Sequence, residues 1–271
     1  MIKLKPPAPE PGDKNWQRWR KDCDEAKQAL IEYHEQGKGE LVEVERKLYR
    51  RESIIKRYYC NGDAPFHGKC VYCEAKRAIL HVEHYRPKNA VTGARDRELP
   101  DGTEQSHPGY YWLAYELDNL LLSCEDCNVK FKGTQFPLKD EGTRAWLSSD
   151  DLTKEAPLLL CPFEEDEPSQ HLSLDLETGI LSHKTNRGEQ TIKRLGLNLR
   201  GLPEERRKVV TEIEHCWSQW FAVDSNKQQR DRAFEKIKNH KLGRCTFTLT
   251  ARLTLAHLRA QFESLATELG T

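Results

Sequence analysis

No apolar run along this chain approaches the length of a membrane span, so no segment reads as a transmembrane helix. The stretch from Ile2 to Asp13 holds Pro6, Pro7, Pro9 and Pro11 but lacks the apolar core of a secretion signal, and it reads as an extended arm. A charge excess is missing too: 43 Lys and Arg balance 43 Asp and Glu. Proteins that grip nucleic acid unaided usually carry a basic excess, because counterion release drives phosphate binding. Neutrality therefore argues against strong autonomous binding. There is no internal repeat and no long low-complexity tract. Apolar residues make up only 37% against 32% charged, which suits a helix-rich soluble protein with extensive solvated faces. Nine cysteines, an odd number without a secretion signal, argue against a disulfide framework and for reduced thiols in a cytoplasmic setting.

Charge is unevenly spread. Arg187 to Lys208 and Lys227 to Arg244 are basic-rich, whereas Glu164 to Glu177 is purely acidic among its charges. Runs of this kind are most simply solvated helix faces. Asp13 is placed to cap a helix through Gln36, with Trp16, Trp19, Cys23, Ala26 and Leu30 at helical spacing. Gly37-Lys38-Gly39 breaks it, and a second helix is expected from about Glu40 to Tyr59, pairing with the first as a hairpin. Asn61-Gly62-Asp63 is a turn, Ala78 to Tyr85 a short strand stopped by Pro87, and Thr92 to Pro108 a polar loop. Leu120-Leu121-Leu122 is a buried run, and a short helix follows from about Cys127 to Lys132. Further on, His171 to Leu176 and Gly179 to His183 form a β-hairpin. Four helices are expected after it: Arg187 to Leu195, Pro203 to Val223, Lys227 to Leu242 and Thr246 to Leu269.

Two cysteine pairs carry the chemistry: Cys70-Val71-Tyr72-Cys73 and, about fifty residues later, Cys124-Glu125-Asp126-Cys127. Two such knuckles can close a four-thiolate tetrahedron around structural zinc. Cys60 and His67 lie close enough in sequence to substitute for a ligand. The clasp would staple the strand bearing Glu83 and His84 to the helix that begins at Asn128. His84 is suited to act as a general base, since imidazole titrates near neutrality. Glu83 and Asn128 are hard oxygen donors suited to Mg²⁺ or Mn²⁺. His81 shares a strand face with Glu83 and is expected to support the site or the core. Arg86 and Lys88 could clamp a phosphate.

Cys70-x-x-Cys73, Glu83-His84-Tyr85-Arg86-Pro87, Asp118-Asn119-Leu120-Leu121-Leu122-Ser123 and Cys124-x-x-Cys127-Asn128 together resemble the zinc-clasped HNH endonuclease signature. The wider phrasing, Tyr111-Trp112-Leu113-Ala114-Tyr115 and Lys132-Gly133-Thr134-Gln135-Phe136-Pro137, resembles the PtuB-type HNH proteins of Septu and retron-associated anti-phage systems. The resemblance implies a ββα-metal fold. His84 would be general base, Asn119 would brace the loop that orients it, and Glu83 and Asn128 would hold a catalytic Mg²⁺ or Mn²⁺. Glu83 stands where the family more often has Asp, and Asn128 where it often has His. The resemblance also implies a PtuA-type ATPase partner, with a reverse transcriptase and its retron DNA in retron-associated systems.

The expectation is thus an α+β, mainly helical protein in three segments: 1–59, an arm and helical hairpin; 60–139, the zinc-stapled HNH module; and 140–271, a β-hairpin followed by helices. The helical segments at either end are the expected docking surfaces for the partner. A zinc-stabilised adaptor that binds nucleic acid or protein without cutting is the alternative, and it requires the Glu83-His84 pair to be incidental.

Overall fold

The computed structural model describes residues 1–5, 12–36, 42–55, 58–59, 67–99, 102–163 and 167–268. The prolines of the expected arm, the Gly37–Gly39 break, Cys60 and the Asn61–Asp63 turn lie outside them. Asp13 caps α1 (Lys14–Gln36), its Oδ1 accepting from the backbone N–H of Asn15 at 3.0 Å and of Trp16 at 3.2 Å. Trp19, Cys23 and Leu30 form the buried stripe of this helix.

The expected second helix is corrected: it is broken into α2 (Arg46–Tyr49) and α3 (Glu52–Ile55). Two causes are visible. Val42 and Val44 are β-branched residues that resist helix entry, and Glu45 is extended, at φ −71° and ψ 108°. Tertiary hydrogen bonds then hold the break open: the Glu45 N–H donates to Tyr115 Oη at 2.8 Å, and Trp19 Nε1 donates to Leu48 O at 2.9 Å.

β1 (His81–His84) is shorter than the expected strand. The polar loop that follows carries a small ribbon of β2 (Arg97–Glu98) and β3 (Glu104–Gln105). β4 (Leu120–Ser123) pairs antiparallel with β1, His81 opposite Ser123 and His84 opposite Leu120. A π-helix, Asp126–Lys132, follows at once; its wide step shows in the Gly133 N–H donating to Asn128 O at 2.7 Å. Next come α4 (Pro168–His171), the hairpin of β5 (Leu172–Leu174) and β6 (Leu181–His183), then α5 (Asn186–Arg194), α6 (Leu202–Phe221), α7 (Lys227–Lys241) and α8 (Thr248–Glu268). The protein is a mixed α/β structure, roughly half helical, with small antiparallel sheets. Among the described residues no helix is long and apolar enough to cross a membrane.

The chain groups into two compact units. One comprises Leu4–Val71 and Arg77–Glu164. Its core is aromatic: Trp19, Tyr59, Tyr85, Tyr110, Tyr111, Tyr115 and Phe136 are buried around the Leu120–Leu122 run. The phenols of Tyr59, Tyr85, Tyr110, Tyr111 and Tyr115 each find a partner, as buried polar groups do; Tyr85 donates to Leu159 O at 2.6 Å and Tyr110 to Glu155 Oε1 at 2.7 Å.

The other unit comprises Met1–Lys3, Tyr72–Lys76 and Glu165–Thr271. Here Leu195, Leu197, Leu202, Val210 and Ile213 are buried, and buried Arg206 donates to Gly179 O at 3.1 Å. Gly179 turns the β5–β6 hairpin at φ +73°, and a Cβ there would stand 2.1 Å from Pro203 O.

Candidate active site

Cys70, Cys73, Cys124 and Cys127 converge, their Sγ atoms all lying within 4.8 Å of one another, and all four are buried. A tetrahedron of thiolates at the usual Zn–S length of about 2.3 Å has edges of about 3.8 Å, so the cluster can hold an ion such as zinc. No disulfide joins the described cysteines. His67, the substitute considered from sequence, is not part of the group.

His84 ends β1 and is buried. Its Nε2 lies 2.9 Å from Ala114 O. A carbonyl can only accept, so Nε2 carries the proton and Nδ1 keeps the lone pair. The ring meets Tyr49 edge-on, with centroids 4.7 Å apart. Burial, and then the charge of Lys88, pull the imidazole pKa down to about 3, so the ring is neutral across the physiological range.

Asn119 sits on the turn leading into β4 and makes three hydrogen bonds. Its Oδ1 accepts the Arg86 N–H at 2.8 Å, and its Nδ2 donates to Arg86 O and Leu113 O, each at 3.1 Å. It thereby ties the chain after β1 to the residue preceding Ala114, whose carbonyl fixes His84.

Glu83 points the other way along the pleat. Its Oε1 lies 2.6 Å from Lys132 Nζ, and the same ammonium donates to His84 O at 2.9 Å. Lys132 is fully buried within the π-helix. Burial raises the Glu83 pKa, against the lowering effect of Lys132. Asn128 sits one turn earlier on the same helix and approaches β1 through Nδ2, 3.5 Å from Val82 O.

Glu83, His84, His81 and Asn128 all line one cleft of about 650 Å³, together with Lys88, Tyr49, Arg46 and Arg50. Arg86 is not among its lining residues. Its Nε instead pairs with buried Glu155 Oε2 at 2.9 Å, while its guanidinium lies over the rings of Tyr85, Tyr110 and Phe136. Arg86 thus anchors the core, because a carboxylate with no exposed surface demands a cation beside it.

Sequence reading overlooked Lys132, Tyr49, Arg46 and Arg50. The signal for Lys132 was its place four residues after Asn128, on one face of a short helix. Arg46 and Arg50 share the same spacing, but the sequence pattern places them in a hairpin whose expected role is docking a partner.

No family model matches the chain, and no solved structure matches it. Two curated proteins of Bacillus mycoides (strain KBAB4) do. Over 154 residues, 55% of this chain and 49% of the relative, it is 41% identical to Septu protein PtuB. Over 167 residues, 60% of this chain and 21% of the relative, it is 34% identical to Septu protein PtuA. The chain spans half or less of the length of these relatives; it is similar to Septu proteins and carries a cluster of four buried cysteines.

Proposed function

We propose that this chain is an HNH-type endonuclease of a Septu-like anti-phage system, with β1, β4 and the π-helix as its ββα-metal module. One observation carries the reading. His84, with Nε2 held by Ala114 and Nδ1 left as acceptor, lines the same cleft as a buried carboxylate and a carboxamide, beside a four-thiolate cluster. Similarity to PtuB supports the defence role, and similarity to PtuA supports an ATPase partner of that kind.

The donors fit two ions differently. Four buried thiolates suit zinc, which would be structural because it leaves no open position. Glu83 and Asn128 supply hard oxygens for Mg²⁺ or Mn²⁺, with water completing the shell. Since Lys132 already faces Oε1, the other Glu83 oxygen would be the ligand. When bound, such an ion would neutralise charge developing on the phosphate and on the departing oxygen.

His84 does the proton work. Nδ1 takes a proton from water as the water oxygen bonds to phosphorus; the 3′ oxygen departs with the electrons of its bond and takes a proton from a second water, leaving a 5′-phosphate and a 3′-hydroxyl. Asn119 keeps Ala114 and the chain after β1 in register, so that the ring cannot turn. Lys88 faces the incoming phosphate from the cleft wall.

The test is cleavage of DNA and RNA by the purified chain, alone and with a PtuA-type ATPase, in Mg²⁺ or Mn²⁺. His84→Ala is expected to abolish cutting; undiminished cutting by that variant removes the assignment. The Glu83–Lys132 pair favours a second reading, a zinc-held binding adaptor, because an ammonium already neutralises the carboxylate. One bound zinc, with no cleavage under any divalent ion, would establish that reading instead.

A further inference from the structure

Resting on that nuclease reading, we infer that α2 and its C-terminal cap belong to the substrate site: Arg46 at the start of α2 and Arg50 capping its end, with Lys88, form a cationic rail that holds the phosphodiester backbone of one nucleic-acid strand beside His84. Arg46 and Arg50 line the same cleft as His84, Glu83 and Asn128. Their neighbours in sequence are neutralised: Lys47 Nζ lies 2.8 Å from Glu45, and Arg51 Nη2 lies 2.7 Å from Asp22. Arg46 and Arg50 are exposed, and among the described residues neither side chain meets a carboxylate.

Tyr49 organises the group. Arg50 Cζ stands 5.7 Å from its ring centroid and Lys88 Nζ 5.3 Å, while the ring also abuts His84. Gathering three cations is unfavourable unless an anion joins them. Lys88 registers the cost: desolvation, then repulsion from Arg46 and Arg50, lower its pKa against the opposing pull of Glu83. Of the carboxylates lining the cleft, Glu83 faces Lys132 and only Glu125, exposed at the rim, remains. Phosphodiesters supply the missing charge. Four residues of helix advance about 6 Å, close to the step between neighbouring phosphates of one strand, so Arg46 and Arg50 can meet successive phosphates while Lys88 takes the one nearest His84.

The rail is tested by binding, with no added Mg²⁺ or Mn²⁺ so that cleavage does not intervene. Fluorescence anisotropy of the full zinc-loaded chain is read across a salt series with a fluorescein-labelled DNA duplex in one arm and RNA of the same sequence in the other. The Arg46→Ala/Arg50→Ala variant is expected to weaken binding about tenfold at low salt and to flatten the slope of log affinity against log salt by about 2. Arg46→Lys/Arg50→Lys restores the slope, and Lys47→Ala leaves both quantities unchanged. Parental affinity and slope in the double alanine variant, with zinc content and circular dichroism intact, overturn the rail alone if the unmodified chain still cuts. Failure of the unmodified chain to bind in either arm, both alone and with a PtuA-type ATPase, overturns the rail and the nuclease reading together.

Discussion

A histidine acts as a base only through a nitrogen that carries no proton, and in this protein a backbone carbonyl decides which one that is. Ala114 O accepts a hydrogen bond from the Nε2–H of His84, and Asn119 holds the neighbouring Leu113 carbonyl. Asn119→Ala leaves the buried groups of Arg86 and Leu113 unpaired, which costs about 1–3 kcal/mol in urea unfolding. On the proposed nuclease function, its cleavage defect is expected in kcat more than in KM, because the substrate contacts remain while His84 loses its orientation. Lys132 works by charge. Removing it strands Glu83 as a buried, uncompensated carboxylate, so Lys132→Met is expected to cost about 3–5 kcal/mol. Adding Glu83→Gln should recover part of that loss; a double variant no more stable than Lys132→Met would contradict the pairing. His84 and the cysteines were legible as candidates from residue type and spacing, and Asn119 through the resemblance to the HNH signature. Lys132 was not, because a lysine in a short polar helix reads as solvated until the fold shows it fully buried.

At the scale of elements, the knuckles hold β1, β4 and the π-helix together. The Cys124 carbonyl accepts the Asn128 N–H at 2.9 Å, so the second knuckle also starts the helix that carries Asn128 and Lys132. Cys127→Ser is expected to lower bound zinc, measured by elemental analysis, and to expose residues 120–133 to protease; unchanged protection would show that the helix stands without metal. The cleft wall has its own dependence on glycine. Gly109 adopts φ +86°, and a Cβ there would lie 2.4 Å from Asn89 N and 2.5 Å from Lys88 C. Gly109→Ala therefore has to displace the segment bearing Lys88, and nucleic-acid affinity should fall with overall stability. The β5–β6 hairpin and α5 to α8 followed from periodicity, turns and caps. The broken pair α2 and α3 did not, because Tyr115 and Trp19 capture backbone groups of that segment from distant positions. No local pattern encodes such a capture.

At the scale of the whole molecule, charge sets acid tolerance and, on the proposed function, the need for a partner. Burial pushes the Glu116 carboxyl up, but hydrogen bonds from Arg20 at 2.8 Å and Lys27 at 2.8 Å outweigh it and hold its pKa below the ordinary value. The folded chain then releases this proton more readily than the unfolded chain does. The resulting stability is complete above the unfolded carboxylate pKa, near about 4.3, and is lost as pH falls through the depressed folded value. Urea midpoints should therefore decline toward acid pH, with a shallower decline in Glu116→Gln; identical profiles would discount the network. A formal net charge of zero sets a further expectation, that the isolated chain binds nucleic acid only at about micromolar affinity or weaker in physiological salt. An ATPase partner should tighten that binding, and anisotropy with and without it measures the difference.

The sequence by itself brought out the two cysteine knuckles, the strand bearing Glu83 and His84 and the helices of the second half, and its resemblance to the HNH signature singled out Asn119. Each knuckle, the strand and the helices rest on residue type at fixed short spacing, where local geometry dictates the outcome. Only the tertiary structure decided that Arg86 serves the core through Glu155, that Lys132 stands against Glu83, and that α2 walls the cleft. These outcomes depend on which charges lose their water, and burial is a property of the folded chain that no window of sequence contains.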